Sequence, residues 1–238
     1  MDRAELKGFI ARRVARELRD GDFVNLGIGL PTLVPSYLPD NVHVTLQAEV
    51  GMVGAGQAPT ASHLESLGVI AAPLDSGSEF VDADPRYIVD AGGGPASINL
   101  GGAFIDSVTS FALIRGGHVD ATVLGALQVD ALGNLANWII PGKMVPGMGG
   151  AMDLVVGARR VIVAMEHTQK GAPKILTRCT LPLTAVHCVD LIVTEMGVFT
   201  VDQTGLTLTE IAPDITVDDV RAATEAPFAV AADLKLMV

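Results

Sequence analysis

The sequence is poor in reactive and aromatic residues. Of 238 positions two are cysteine, Cys179 and Cys188, one is tryptophan, and 4% are aromatic. Two cysteines cannot build a disulfide framework or a cysteine-only zinc site, which points to a reducing, cytoplasmic home. The five histidines are scattered, with no H-E-x-x-H and no C-x-x-C, so no metal site is expected. A G-x-S-x-G nucleophile elbow and a phosphate P-loop are also absent. No uninterrupted apolar run approaches the roughly 18–20 residues a membrane-spanning helix needs. The opening residues, Met1 to Asp22, lack the apolar core and small-residue cleavage site of a secretory signal. Positive charge is scarce: 16 basic residues face 27 acidic ones, a net charge of −11. That balance argues against nucleic acid and anionic membranes as partners.

Apolar residues are plentiful, at 49% of the chain. This excludes disorder and suffices for a sizeable core. No repeat and no linker cuts the chain, so one α/β domain over 1–238 is the economical reading. Charge is unevenly spread. Residues 1–20 hold six of the basic residues and four of the acidic ones, and residues 20–85 contain no Lys or Arg at all. A polyanionic ligand touching that stretch must find its counter-charge elsewhere.

Leu6, Phe9, Ile10, Val14 and Leu18 recur at helical spacing, predicting a helix with a solvated basic face that stops at Asp20-Gly21-Asp22. A strand over Phe23–Leu26 leads into Gly27-Ile28-Gly29-Leu30-Pro31, whose missing third glycine breaks the dinucleotide fingerprint. Thr32 is placed to cap a helix through Tyr37, and Val42–Leu46 reads as a second strand, completing a parallel βαβ unit. Residues 57–85 read as a surface excursion with a short helix near His63–Leu67. Further on, Phe104–Ile114 reads as a helix, Ala121–Val129 as a buried strand, and Leu135–Ile140 as another short segment. A helix over Asp153–Gly157 and a strand over Arg160–Glu166 follow. Late strands fall at Leu191–Thr194, Phe199–Val201 and Leu206–Thr209, and a helix capped by Thr216 runs from Val217 to Thr224.

Glu49 is the residue with most chemical promise. It closes a predicted parallel strand, at the edge where open α/β sheets bind ligands. Glycines at 51, 54 and 56 predict a loop that lets a substrate approach the backbone. Beside Val50, Met52 and Val53 a carboxylate would be poorly solvated and so more basic or more nucleophilic. An ordinary solvated acid at a strand end fits the composition equally well.

Several long motifs carry a resemblance. Asn25–Pro31, Glu49–Gly54, Arg115–Asp120, Leu124–Val129, Asn134–Trp138, Ile140–Met144, Gly147–Leu154, Cys179–Thr184 and Val193–Glu195, in that order, resemble the β subunit of family I CoA-transferases. The 3-oxoacid and butyrate–acetoacetate types are the most similar. The resemblance implies an open, mainly parallel sheet flanked by helices, in the CoA-transferase, ribose-phosphate-isomerase-like fold. It implies that Glu49 is a nucleophile carrying CoA as a glutamyl thioester in a ping-pong cycle. It also implies an oxyanion contribution from the turn Gly149, Gly150 and Ala151, an orienting amide on Asn25, and a site shaped by Gly27, Gly29, Gly51 and Gly54. Coenzyme A enters as co-substrate, with no cofactor bound permanently. The implied partner is the CoA-transferase α subunit, in a heterodimer or α2β2 heterotetramer, with acyl-CoA and small carboxylic acids as substrates.

Three departures from the family pattern stand out. The family's E-N-G reads Glu49-Val50-Gly51, the segment between Gly56 and Asp90 is longer, and Gly93 stands where some relatives have lysine. They keep open an acyl-CoA hydrolase, a hydrolase or lyase of a CoA-linked ring, or an inactive structural subunit. With so little basic surface of its own, the chain is expected to rely on its partner to meet the CoA phosphates.

Overall fold

The computed structural model describes residues 2–56, 88–89, 96–143 and 147–237. The expected excursion over 57–85, its short helix, and Gly92–Gly94 lie outside the described residues.

The elements in chain order are α1 (Arg3–Ala15), β1 (Phe23–Leu26), a 3-10 helix (Leu30–Tyr37), β2 (Thr45–Ala48), β3 (Met52–Gly56) and β4 (Ser97–Phe104). Then come α2 (Ser107–Arg115), β5 (Ala121–Leu124), β6 (Gln128–Asp130), β7 (Leu135–Ala136), α3 (Ala151–Gly157) and β8 (Val161–Ala164). After β9 (Thr168–Gln169), β10 (Ala172–Pro173) and β11 (Ile175–Leu176) the chain forms β12 (Leu191–Val193), β13 (Gly197–Asp202), β14 (Gly205–Ile211), α4 (Val217–Ala223) and β15 (Phe228–Leu236).

Among the described residues ten strands make one sheet, ordered β15-β14-β13-β12-β8-β5-β1-β2-β3-β4. The central five, β12-β8-β5-β1-β2, are parallel, and β13 and β3 turn antiparallel at either side. The mainly parallel α/β architecture expected from the sequence is what forms. Its strands read as continuous apolar runs because both faces are covered. Alternate residues face opposite ways: Val24, Val123, Ile162 and Val193 pack with Ile10 and Val14 of α1. Leu124, Val161, Val163 and Ile192 pack with Ile114 of α2, Leu154 and Val155 of α3 and Val220 of α4.

The basic face of α1 is not wholly solvated. Arg13 is buried, and its guanidinium grips Glu210 of β14 through two bonds of 2.7 Å and Glu17 through one of 2.8 Å. Asp2 and Glu5 form a capping box at the other end of the helix.

Several boundaries differ from the sequence reading. The second strand starts at Thr45, not Val42, because β1 pairs Phe23 with Thr45 and the His43 carbonyl is taken by the Gly21 amide. Thr32 does not cap the following turn; its hydroxyl lies inside it and donates to the Gly29 carbonyl at 2.8 Å. That turn is 3-10, with Pro31 at its start and Pro35 within it. The stretch read as a glycine loop after Glu49 is strand β3, antiparallel to both β2 and β4. Phe104 ends β4 rather than opening a helix; Asp106 caps α2, accepting from the Thr109 amide at 2.7 Å. The apolar run Ala121–Val129 breaks at Gly125 into β5 and β6, and β15 carried no clear signal in the sequence.

Candidate active site

Because the five central strands are parallel, β1, β2, β5, β8 and β12 all end on one edge of the sheet. Glu49 sits there, in the turn joining β2 to β3, closed by the Gly51 amide donating to the Ala48 carbonyl at 3.0 Å. Gly51 makes this turn possible. Its φ is +118°, and a Cβ there would meet the Ile105 carbonyl oxygen at 2.3 Å. The Gly51 carbonyl in turn accepts from the Ile105 amide at 2.9 Å, tying the turn to the entry of α2.

The Glu49 carboxylate is held from below. Asn25 Nδ2 donates to Glu49 Oε2 at 3.1 Å, to Gln47 Oε1 at 2.8 Å and to the Gln47 carbonyl at 3.1 Å. Gln47 Nε2 donates to Ser110 Oγ of α2 at 2.8 Å, and the Thr122 hydroxyl approaches Asn25 Oδ1 at 3.5 Å. Asn25, Gln47, Ser110 and Thr122 are all buried. The strand register explains the row: Asn25 stands opposite Gln47 on one side and Thr122 on the other. Val24 faces α1, so Asn25 must face α2, where Ser110 waits.

Gly150 closes on the Glu49 side chain. A Cβ at Gly150 would lie 3.1 Å from Glu49 Cγ and 3.3 Å from the Phe111 ring. The absence of a side chain lets backbone stand against the acid. Gly149, with φ +52°, and Gly150, at the N-cap, lead into α3. The Ala151 amide already donates to the Met148 carbonyl at 3.2 Å, so an oxyanion would have to compete for it. Phe111 is covered by Arg115, whose guanidinium lies 5.5 Å from the ring and pairs with Asp153 of α3 at 2.7 Å. This pair spans α2 and α3 across the back of the site.

Of the other glycines, Gly27 donates to the Val123 carbonyl at 2.7 Å and Gly29 caps the 3-10 helix. Both follow β1 on the same edge as Glu49. Gly54 lies within β3, where a Cβ would meet Gly102 of β4 at 2.8 Å. It shapes strand pairing rather than an open loop. Val50 is 53% exposed at the turn tip. It therefore does not pack in the core. Of the residues expected from the sequence, the fold brings Asn25, Glu49 and Gly150 together. Sequence reasoning missed Gln47, Ser110, Thr122 and Phe111. Gln47 offered a signal: an amide side chain two residues before Glu49, and so on the same face of the strand.

The "Coenzyme A transferase" family model matches residues 9–75 and 81–223. The chain is 55% identical over 231 residues to the beta subunit of the acetate CoA-transferase of Escherichia coli K12, covering 97% of this chain and 96% of that one. It is 44% identical to the human mitochondrial succinyl-CoA:3-ketoacid coenzyme A transferase 2, covering 96% of this chain but 41% of the relative. Among solved structures, an acyl-CoA transferase of Escherichia coli O157:H7 superposes with a TM-score of 0.70 at 20% identity. That match covers 98% of this chain and 43% of the other. The glutaconate CoA-transferase of Acidaminococcus fermentans matches at 0.65 and 18% identity, covering 98% and 88%. The chain belongs to the coenzyme A transferase family. Within it, the chain aligns along almost its whole length with proteins named as beta subunits.

Proposed function

We propose that the chain is the catalytic-glutamate subunit of a two-subunit CoA-transferase, with Glu49 as nucleophile. The carrying observation is the geometry of Glu49 on the carboxyl edge: half-buried, held by the Asn25 amide at 3.1 Å, with side-chain-free Gly150 against it. The carboxylate attacks the thioester carbonyl of a donor acyl-CoA, giving an acyl-glutamyl anhydride and CoA thiolate. The thiolate then attacks the glutamyl carbonyl, forming the glutamyl-CoA thioester and releasing the donor acid. An acceptor carboxylate reverses the sequence. The Asn25 amide holds one carboxylate oxygen so that the other faces the substrate, and the Gly150 amide meets developing oxyanion charge. Thioester and anhydride both hydrolyse, so water has to be kept out.

Coenzyme A is a co-substrate in this reading, and no cofactor is bound permanently. The acids exchanged are a 3-oxoacid or a short-chain carboxylic acid, the classes named for the relatives above. Residues 1–238 act as one functional unit beside a separately encoded α subunit, in a heterodimer or α2β2 heterotetramer in the cytoplasm. Among the described residues no helix is long and apolar enough to cross a membrane. Charge supports the need for a partner. Arg3, Arg13, Arg115, Arg159, Arg160 and Arg221 already pair with carboxylates of this chain. The partner is therefore assigned much of the basic surface for the nucleotide end of CoA.

Borohydride trapping tests the reading. The complex, co-purified with its α subunit, is incubated with acetyl-CoA or acetoacetyl-CoA and reduced. Conversion of Glu49 to the alcohol is expected in the peptide mass spectrum. An unmodified Glu49 in a complex that exchanges CoA would overturn it, as would net hydrolysis without exchange.

A further inference from the structure

Asn25 has two amide protons and three acceptors, and that imbalance decides what the buried row does. An asparagine amide is nearly symmetric in shape, so something must fix which end faces Glu49. If Asn25 flipped, its oxygen would face both the Glu49 carboxylate and the Gln47 main-chain carbonyl, neither of which can donate. The main-chain carbonyl at 3.1 Å thus fixes which end of Asn25 faces Glu49, while the angle of that end is left to the shorter bond made with the Gln47 side chain. Gln47 must then turn its Oε1 toward Asn25, at 2.8 Å, and its Nε2 toward Ser110, at 2.8 Å. Ser110 accepts this bond on the buried face of α2, while Thr122 meets the far end of Asn25.

We propose that Gln47, braced by Ser110, is a positioning residue that aims the Asn25 amide at the Glu49 nucleophile. The proposal rests on Glu49 being that nucleophile and extends it to residues that touch no substrate. Gln47 Oε1 claims one proton of Asn25, leaving the second to be shared between Glu49 and the Gln47 carbonyl. When Glu49 is a carboxylate, its charge draws that proton. When Glu49 is acylated or carries CoA, its oxygen is a weaker acceptor and the Gln47 carbonyl takes the proton instead. The buried amide is never left unpaired during the cycle. The same side chain stays in register through both half-reactions.

The test measures single-turnover formation of the glutamyl-CoA thioester from acetyl-CoA in the assembled complex, alongside steady-state kinetics. Gln47→Met keeps the side chain's length and removes its hydrogen bonds. Labelling at Glu49 is expected to slow about 10-fold, with kcat falling in step and KM changing less than about threefold. In an Asn25→Ala background the same change should add almost nothing, because the two residues act as one unit. Should Gln47→Met fail to assemble, Ser110→Ala decides, with an expected slowing of about threefold. An undiminished labelling rate in the assembled variant overturns the proposal, as does full additivity with Asn25→Ala. Wild-type complex in which Glu49 is never labelled overturns the parent reading and this inference with it. Labelled wild type with unaffected variants overturns this inference alone.

Discussion

Two polar clusters lie buried toward the carboxyl edge of the same sheet, and their hydrogen bonds end in different places. Under β1 and β2 the row Ser110–Gln47–Asn25 runs outward to a half-buried carboxylate. Beyond β8 and β12, His167 closes on its own surroundings, with Nδ1 2.9 Å from Thr194 Oγ1 and Nε2 2.9 Å from Thr224 Oγ1. The Thr224 hydroxyl donates to the Val220 carbonyl at 2.7 Å, so it accepts from His167 Nε2–H. Thr194 accepts from the Gly197 amide and stitches the β12–β13 turn. Burial, and then the charge of Lys174, pull the His167 pKa down to about 4, so the ring is neutral near pH 7. A closed network fastens elements together, whereas an open one presents a group for use.

The sharpest way to break that contrast is to remove one member from each cluster. Glu49→Gln should lower turnover of the assembled complex by roughly 10³-fold or more, since an amide is not a competent nucleophile here. Its unfolding free energy should move by less than about 1 kcal/mol, Glu49 lying at the surface end of the row. Thr194→Val should do the reverse. It leaves turnover within about twofold and costs roughly 1–3 kcal/mol, because His167 and the amides of Met196 and Gly197 lose a buried partner. Denaturant melts and initial rates on both variants would show whether function and stability separate between the clusters.

Acid sharpens the comparison further. The folded pKa of His167 lies below its ordinary 6.5, so its contribution to stability is complete above that value. It is lost as pH falls toward about 4. At pH 5 the loss is about 2 kcal/mol relative to pH 7. His167→Gln should show a correspondingly flatter pH dependence in urea titrations, and a slope equal to the wild type's would sink this account. The smallest effect is expected at Val50→Asn. Its side chain stands in solvent at the tip of the Glu49 turn, so stability in the same urea titrations should shift by no more than about 0.5 kcal/mol.

Of the candidate site, local chemistry marked only Glu49, an acid at a predicted strand end. Asn25 and Gly149-Gly150 were singled out by the family resemblance alone, each within a motif of a few residues. The β1 boundaries and the cap of α4 were equally local, the latter through Thr216 and Asp219. Strand β3 was hidden because its glycines look like a loop until β4 supplies Gly102 beside Gly54. Arg13 looked solvated because nothing near α1 in sequence foretells Glu210.

By itself, then, the sequence determined the α/β class and, through its ordered motifs, the family, because these depend on residue type and short-range order. Tertiary structure alone decided what holds the acid. Gln47 and Asn25 are 22 residues apart and Gln47 and Ser110 are 63 apart, and no local rule pairs them. Parallel register sets Asn25 opposite Gln47, and packing of α2 on that face brings Ser110 to the amide. A hydrogen bond requires its partners within about 3 Å, a condition met only once strands and helix are in place.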